Sequence, residues 1–236
     1  MFKQKNKAIE NNGTRPGLVT ISKPTAVVSE QFRTIRTNIQ FSMVDKDLKT
    51  LVVTSAGPGS GKSLVSANLA ATFASEEMRV LLVDADLRKP TVHRTFHVKN
   101  NDGLTSVLTD KTSELTDMIY RTYTEGLYIL TSGAIPPNPA ELLNSNRMKE
   151  ITKEMEGLFD LIIFDTPPVL AVTDAQVMSS KVDGTLFVIP HGRATKDEVT
   201  KAKELLDMVG ANVLGAIFNR VSAEDDKYSY YYANEE

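Results

Sequence analysis

The chain has 236 residues, of which 41% are hydrophobic and 24% are charged, with a net charge of −3 at pH 7. This composition indicates a globular protein of one large or two small domains and argues against a general nucleic-acid binder. With no cysteine and three histidines, a disulfide framework and a cysteine nucleophile are excluded, and a zinc site has few candidate ligands. Its apolar runs are shorter than the roughly 18–20 residues of a membrane-spanning helix, so we expect any membrane association to be peripheral or through a partner.

The two ends of the chain are polar and differ in charge. Residues 1–23 carry five basic side chains against one acidic side chain, whereas residues 222–236 carry five acidic side chains against Lys227. Polar, charged ends of this kind are typical of mobile extensions. We therefore predict three parts: a basic flexible leader over 1–27, a folded domain over 28–221, and an acidic tyrosine-rich tail over 222–236.

The first predicted element is a helix over Val28–Phe41. On a wheel of about 100° per residue, four apolar side chains fall within roughly 60° and form a stripe that should face the core; they are Val28, Phe32, Ile35 and Ile39. Three charged side chains lie off this stripe, namely Glu30, Arg33 and Arg36. Taken alone, they are typical of a solvated helix face with an internal Glu–Arg pair.

Short apolar runs then alternate with helical patterns. Several runs are apolar throughout, which is typical of parallel strands covered on both faces. The predicted strands are Leu51–Ser55, Val80–Val83, Leu127–Thr131, Leu161–Phe164, Thr185–Ile189 and Val213–Phe218. The predicted helices between them are Ser63–Ser75, Ala140–Met155 and Lys196–Val209. The alternation predicts an α/β fold, a doubly wound and mostly parallel sheet with helices on both faces and ligands at the carboxyl ends of its strands.

A glycine-rich loop follows the first of these strands and opens a helix; it reads Ala56-Gly57-Pro58-Gly59-Ser60-Gly61-Lys62-Ser63. Glycines here let backbone N–H groups converge on phosphate oxygens at the positive end of the helix. Lys62 can reach the β- and γ-phosphates of a nucleotide, and Ser63 can bind Mg²⁺. Ala56 departs from the motif, which has a glycine at that position. We predict a P-loop NTPase-like ATP site over Gly57 to Leu64, in which Lys62 faces solvent until nucleotide binds.

Acidic residues follow two of the predicted strands. Asp84 and Asp86 come just after one strand, and Asp165 follows another. A lone aspartate at a strand end is more often a helix cap or a turn former. Three of them beside a phosphate loop favour metal and phosphoryl chemistry, because the carboxyl ends of parallel strands meet at one edge of the sheet.

Four of the seven tyrosines lie within one short window of the acidic tail; they are Tyr228, Tyr230, Tyr231 and Tyr232. A buried core does not need such a cluster between acidic residues at a chain end. The residues alone leave three interpretations: a phosphoryl acceptor, an aromatic edge strand, or a tail that docks on a partner.

In combination, these motifs resemble the bacterial tyrosine kinases of the capsule and exopolysaccharide type, over about Val28 to Tyr232. The blocks that carry the resemblance, besides the tyrosine cluster, are the loop ending in Gly61-Lys62-Ser63, Val83-Asp84-Ala85-Asp86-Leu87-Arg88-Lys89-Pro90, Ile163-Phe164-Asp165-Thr166-Pro167-Pro168, Gly133-Ala134-Ile135-Pro136-Pro137-Asn138-Pro139-Ala140-Glu141-Leu142-Leu143 and Glu30-Gln31-Phe32-Arg33-Thr34-Ile35-Arg36-Thr37-Asn38. The resemblance implies a kinase with ATP and Mg²⁺ as cofactors.

The resemblance also implies a role for each matched residue. Lys62 would bind phosphate, and Mg²⁺ would be held by Ser63, by Asp84 and Asp86, and by Asp165 through water. Asp84 or Asp86 would accept the proton of the tyrosine, and we favour Asp84. Because a carboxylate of ordinary pKa near 4 is a weak base for a tyrosine of pKa near 10, we expect its main task to be orienting the hydroxyl.

Two further features follow from the same resemblance. Asn219 and Arg220, after the last predicted strand, match the adenine-contacting turn of related ATPases, although an ordinary turn is the alternative. Glu30, Arg33 and Arg36 match the motif through which these kinases form a ring, in which each tail would be phosphorylated by the adjacent subunit.

The partners implied are a homo-oligomeric ring, a separate membrane adaptor chain that stimulates the kinase, protein tyrosine substrates and an opposing phosphotyrosine phosphatase, with no nucleic acid. The implied location is cytoplasmic, peripheral at the inner face of the membrane through the adaptor.

Two other classes of protein compete with a kinase. A nucleotide-switch ATPase of the septum-positioning or plasmid-partition kind shares the fold and the loop, but carries a second lysine at the position of Gly57. A non-catalytic regulatory subunit in polymer export is disfavoured by the intact loop lysine and the three aspartates.

Overall fold

The computed structural model describes residues 7–8, 17–43 and 47–221. The predicted tail and most of the predicted leader lie outside these residues. Within them, no helix is both long and apolar enough to cross a membrane.

All six predicted apolar runs are strands, each within one residue of its expected bounds. With two short strands that the sequence patterns did not indicate, the strands are β1 Lys7–Ala8, β2 Thr50–Ser55, β3 Val80–Asp84, β4 Ile119–Arg121, β5 Leu127–Leu130, β6 Leu161–Asp165, β7 Gly184–Pro190 and β8 Val213–Asn219. They form one sheet in the order β1-β4-β5-β3-β6-β2-β7-β8. Every neighbouring pair is parallel except β4 and β5. The prediction of a mostly parallel, doubly wound sheet is confirmed.

The helices of the described residues are α1 Val19–Ser22, α2 Val27–Ser42, α3 Lys62–Ala74, α4 Val92–Thr95, α5 Leu104–Thr109, α6 Leu115–Met118, α7 Pro139–Asn144, α8 Asn146–Leu158, α9 Asp174–Ser179 and α10 Lys196–Met208. The prediction of a single helix over Ala140–Met155 is therefore wrong, because this stretch forms two helices, α7 and α8. Ser145 has extended backbone angles, and its hydroxyl accepts a hydrogen bond from Met148 N at 3.1 Å. A serine cap thus starts α8 where the apolar pattern runs on without a break.

The sheet is covered on both faces, and the side chains of each strand alternate between the two cores. In β2, Leu51 and Val53 pack with α2 and α3, whereas Val52 packs on the other face with α5 and α8. The strands β2, β3 and β6 are buried along their whole length. This double coverage explains why their sequences are apolar throughout.

Two expectations about the first part of the chain need correction. The helix stripe is only partly in the core, because Val28 is 46% exposed and Ser29 is buried in its place. The packed domain also begins before residue 28, since Leu18 is fully buried and Thr20 donates to Asn68 Oδ1 from its backbone N and from its hydroxyl. The residues from Gly17 onward are therefore part of the domain rather than of a leader.

Candidate active site

The glycine-rich loop lies between β2 and α3, as a phosphate loop requires. Gly59 and Gly61 have φ of +73° and +84°, in the left-handed region that favours glycine. Gly61 is also held closely, because a Cβ added there would lie 2.4 Å from Asn219 Nδ2. The helix begins at Lys62, directly after this turn.

Ala56, at the position of the motif's first glycine, is a core residue. It is buried with Val169, Ala175 and Phe187 in a small apolar cluster beneath the loop. The alanine at this position is thus part of the apolar packing under the loop. Leu64, the last residue of the predicted ATP site, is half exposed on α3.

The structure brings the three aspartates together at the carboxyl edge of the sheet. Asp84 and Asp165 end the neighbouring strands β3 and β6 and are paired in register. Asp86 follows two residues after Asp84. All three side chains are buried, and the phosphate loop leaves the adjacent strand β2 at the same edge.

Lys62 joins the loop to these carboxylates. Its Nζ lies 3.2 Å from Asp86 Oδ2, 3.4 Å from Asp165 Oδ1 and 3.4 Å from Ser63 Oγ. The expectation that Lys62 faces solvent is wrong, because the residue is only 9% exposed. Burial alone would lower the pKa of Lys62, but the negative charges of Asp165 and Asp86 outweigh it and raise that pKa. The lysine is thus held charged and directed at the carboxylates.

Asp84 has the environment of a base. Its Oδ2 accepts hydrogen bonds from Thr91 N and Val92 N, both at 2.9 Å, while Oδ1 is buried and receives none from any described residue. Burial first, and the charge of Asp165 second, raise the pKa of Asp84 to about 7, against the two backbone hydrogen bonds. The expectation of an ordinary, weakly basic carboxylate is therefore wrong for this residue.

Asp165 is fully buried, and only one of its two carboxylate oxygens is hydrogen-bonded to a described residue. Its Oδ1 accepts from Lys62 Nζ and from Ser66 Oγ, whereas Oδ2 receives no hydrogen bond from the described part of the chain. Burial raises the pKa of Asp165, although the charge of Lys62 opposes that rise. Unsatisfied buried carboxylate oxygens on Asp84 and Asp165, beside Ser63, are the hard oxygen donors that Mg²⁺ prefers.

The residues present fit Mg²⁺ bound together with a nucleotide. No group of three or more His, Asp or Glu side chains among the described residues could hold a metal ion by itself. That is the expected situation where most ligands of Mg²⁺ are water and phosphate oxygens. We therefore expect Ser63, Asp84, Asp86 and Asp165 to bind the ion only when nucleotide phosphates supply the remaining oxygens.

Asn219 and Arg220 form the turn that ends β8, beside the phosphate loop. Asn219 Nδ2 donates to Ser60 O at 2.8 Å, and Arg220 has a left-handed φ of +63°. The sequence indicated a nucleotide-contacting turn, but not this direct hydrogen bond between the turn and the loop. The bond places the turn next to Gly61, where a nucleotide would lie.

An ion pair between an exposed arginine and a buried aspartate, which sequence reasoning missed, supports the two acidic loops. Arg88 donates to both oxygens of Asp174, with Nε at 2.9 Å from Oδ2 and Nη2 at 3.0 Å from Oδ1. Asp174 is fully buried at the start of α9. The pair therefore links the loop after β3, which carries Asp86, to the segment after β6, which follows Asp165. Arg88 lies within a motif block of the sequence, but no local pattern indicates its partner.

The charged side chains of α2 are divided between two kinds of contact. Glu30 and Arg33 pair with each other on the helix surface, with Arg33 Nε 2.9 Å from Glu30 Oε2, and Arg33 also donates to Pro24 O. Arg36 instead reaches the end of α3, where its Nη1 lies 2.9 Å from Glu76 Oε1 and 3.0 Å from Thr72 O. In this single chain the internal Glu–Arg pair is present, and Arg36 anchors α2 to the helix that begins at Lys62.

The remaining predicted site residues, the tyrosines of the tail, lie outside the described residues. Tyr228, Tyr230, Tyr231 and Tyr232 follow the last described residue, Val221, which comes just after the turn at Asn219 and Arg220. The described residues thus bring the tail's attachment point to the sheet edge that carries the site.

A mostly parallel sheet with a lysine-bearing glycine loop and buried aspartates at one edge defines a P-loop nucleotide-binding protein. A family model described as an AAA domain matches residues 48–192. The chain is 47% identical over 225 residues to the tyrosine-protein kinase YwqD of Bacillus subtilis, and 94% of each chain is covered.

Two solved structures are similar as well. One is the chimerical protein CapA2B2, with a TM-score of 0.84 and 40% identity over 91% of this chain and 93% of that one. Another is the septum site-determining protein MinD of Pyrococcus horikoshii in complex with Mg-ADP, with a TM-score of 0.63 and 27% identity over 74% of this chain and 71% of that one. The chain therefore belongs to the AAA domain family and, within it, to the bacterial tyrosine kinases.

Proposed function

We propose that this chain is an ATP- and Mg²⁺-dependent protein-tyrosine kinase whose subunits phosphorylate one another on Tyr228, Tyr230, Tyr231 and Tyr232. The observation that carries the proposal is the geometry of the site: Lys62, at the end of the phosphate loop, lies within 3.4 Å of Asp86 and Asp165. Beside them, Asp84 Oδ1 is buried and receives no hydrogen bond from any described residue, so it can accept one from a substrate hydroxyl. The likeness to YwqD supports the same activity.

In the proposed reaction, each side chain of the site has a distinct role. The tyrosine hydroxyl oxygen forms a bond to the γ-phosphorus of ATP while the bond from that phosphorus to the β–γ bridging oxygen breaks, and ADP leaves. Asp84 orients the hydroxyl and takes its proton late in the transfer. Lys62 neutralises charge on the transferred group, as a loop lysine does in phosphoryl transfer. Mg²⁺, when bound with ATP, neutralises the phosphate charge further.

The same proposal includes the setting of the kinase. The subunits would assemble into a ring through Glu30, Arg33 and Arg36, and a separate membrane adaptor would hold the ring at the inner face of the membrane. Protein tyrosine substrates and a phosphotyrosine phosphatase complete the set of partners, and regulation of capsular and exopolysaccharide synthesis and export is the proposed outcome. The support for this setting is the sequence resemblance and the likeness to CapA2B2.

A nucleotide-switch ATPase without kinase activity is the second candidate, because MinD shares the fold. It is disfavoured by Gly57, which stands where such ATPases carry their signature lysine, and by the tyrosine tail. Incubation of the purified chain with ATP and Mg²⁺ separates the two functions. A kinase yields phosphotyrosine that an antibody and mass spectrometry detect, whereas a switch yields only ADP and inorganic phosphate.

A further inference from the structure

A cavity of about 340 Å³ lies between α8 and α9. Its floor is apolar and reaches the sheet, because it is lined by Met148, by Phe164 of β6 and by Met178, all of which are buried. The volume is at the lower end of the range of roughly 300–1,000 Å³ in which proteins bind small molecules. The cavity can therefore take up the apolar part of a small ligand.

This cavity is separate from the proposed nucleotide site. The side chains of its floor belong to the core on one face of the sheet, together with α5 and α8. The helix that begins at Lys62, α3, packs on the opposite face. A ligand in the cavity would therefore lie across the sheet from the helix that follows the phosphate loop.

Three exposed lysines line the same cavity. Lys149 and Lys153 lie one turn apart on α8, and Lys181 follows the end of α9. Glu156 is the one acidic residue among those that line the cavity, so positive charge is in excess there. None of the ion pairs within the described residues involves any of the three lysines. The charge of the lining is therefore suited to an anion.

One of these lysines is held in place by the chain itself. Lys181 Nζ donates to Asn144 Oδ1 at 2.8 Å and to Leu143 O at 3.2 Å, at the end of α7. Because an ammonium group has three N–H donors, one remains for a ligand. Partial burial, and after it the positive charge of Lys149, lower the pKa of Lys181. The two lysines thus repel each other, and an anion bound between them would relieve that repulsion.

We propose that this cavity binds a small organic anion, whose apolar body packs on the buried floor and whose carboxylate, sulfonate or phosphate group contacts the three lysines. An uncharged apolar ligand would leave the lysines without a partner, and an inorganic anion would leave the floor uncovered. A ligand that combines the two properties matches both parts of the lining. This inference goes beyond the proposed kinase function and does not depend on it.

The test follows the methionine methyl groups of the full-length chain by NMR while a probe is added. The probe is naphthalene-1-sulfonate, an aromatic ring with one negative charge. The methyl resonances of Met148 and Met178 should shift with a common dissociation constant, because both side chains line the cavity. The resonance of Met208, which is 81% exposed on α10, should stay in place. Naphthalene-1-methanol, which has the same ring without the charge, should bind more weakly by about tenfold or more.

Three variants separate the charge of the lining from its shape. Lys149→Gln with Lys153→Gln should weaken binding of the sulfonate on the order of tenfold, because two exposed charge contacts are lost, and should leave binding of the methanol unchanged. Lys196→Gln with Lys201→Gln, an equal change of net charge at two exposed lysines of α10, should leave both affinities as they are. Thr152→Trp places a large side chain in the cavity from α8 and should abolish binding of both probes.

The proposal is overturned if millimolar sulfonate shifts neither Met148 nor Met178, or if naphthalene-1-methanol binds as tightly as the sulfonate. It is also overturned if the α8 double variant binds the sulfonate as the native chain does, or if the α10 control weakens binding equally. The methyl shifts require neither ATP nor phosphotyrosine. Failure of this anion site is therefore distinguishable from failure of the proposed kinase function.

Discussion

Lys62 Nζ lies 3.4 Å from Asp165 Oδ1, and both side chains are buried although 103 residues separate them in the chain. The lysine that would bind phosphate thus also neutralises buried carboxylates in the folded chain. Binding of ATP would give it a new partner while Mg²⁺ takes over the neutralisation of the carboxylates. A change at this position therefore alters stability as well as chemistry.

The first prediction concerns Lys62→Met. We expect the variant to lose tyrosine phosphorylation, because the transferred phosphate loses its cation. Since removal of one partner leaves buried carboxylates uncompensated, we also expect a lower free energy of unfolding, by about 1–3 kcal/mol. Urea denaturation monitored by circular dichroism measures the second effect, and phosphotyrosine detection measures the first.

The loss of stability should depend on pH in a definite direction. Without Lys62, the pKa of Asp165 in the folded state rises further. The variant should therefore lose the least free energy of unfolding below about pH 4, the ordinary pKa of an aspartate in the unfolded chain. The deficit should grow as the pH rises and be larger at pH 8 than at pH 5. Lys201→Met, at an exposed lysine of α10, is the control. Equal stability of both variants at all pH values would contradict the ion pair.

The second prediction concerns Asp84. Its pKa rises from 3.8 in the unfolded chain to about 7 in the fold, so the folded state binds the extra proton between those values. Ionisation of Asp84 therefore does not lower the free energy of unfolding below about pH 4 and lowers it most above pH 7. In the metal- and nucleotide-free protein, Asp84→Asn should remove this loss and become more stable than the native chain as the pH rises.

The expected gain is on the order of 2–4 kcal/mol at pH 8 and much less at pH 5. The asparagine amide oxygen can still accept from Thr91 N and Val92 N, so these hydrogen bonds remain. Urea denaturation at pH 5, 6, 7 and 8 in the presence of a chelator checks the trend. A native chain as stable as Asp84→Asn at pH 8 would show that the carboxyl carries no raised pKa.

Much of this architecture was predictable from the sequence, for identifiable reasons. The strands β2, β3 and β6 are buried on both faces, so their apolar runs stand out, and the glycine loop is a local motif. The antiparallel strand β4 has only three residues and no periodicity to detect. The break at Ser145 was missed because apolar spacing continues through it.

The properties of the site were less predictable, because they depend on contacts between distant parts of the chain. The positions of the three aspartates follow from strand ends, but the burial of Lys62 depends on carboxylates 24 and 103 residues away. The hydrogen bond from Asn219 to Ser60 spans 159 residues. The raised pKa of Asp84 is a consequence of burial, which no local spacing encodes.

The third prediction concerns the acceptor tyrosines and the direction of transfer. Mass spectrometry after incubation with ATP should place phosphate within Tyr228–Tyr232. When a Lys62→Met chain is mixed with a chain whose four tail tyrosines are Phe, phosphate should appear on the Lys62→Met chain, because each tail enters a neighbour's site. Phosphate confined to Tyr120, Tyr123 or Tyr128 would contradict the acceptor assignment, and an unphosphorylated Lys62→Met chain in the mixture would contradict transfer between subunits.

The last prediction concerns assembly through α2. Changing Glu30, Arg33 and Arg36 together to Ala should yield a folded monomer that autophosphorylates poorly, as measured by light scattering and phosphotyrosine detection.

The two kinds of contact on α2 allow this effect to be divided. Glu30→Ala with Arg33→Ala removes a solvent-exposed pair and the hydrogen bond from Arg33 to Pro24 O, and should lower the unfolding midpoint only slightly. Arg36→Ala also removes the ion pair with Glu76 and the hydrogen bond to Thr72 O, so it should lower the midpoint.

Glu76→Ala is the matched control for Arg36, because it breaks the same ion pair and leaves the predicted ring motif intact. If the ring forms through this motif, Glu30→Ala with Arg33→Ala reduces assembly while Glu76→Ala does not. Unchanged assembly of the triple variant at every concentration and phosphorylation state would mean that Glu30 and Arg33 are only a solvated face and Arg36 only an internal anchor.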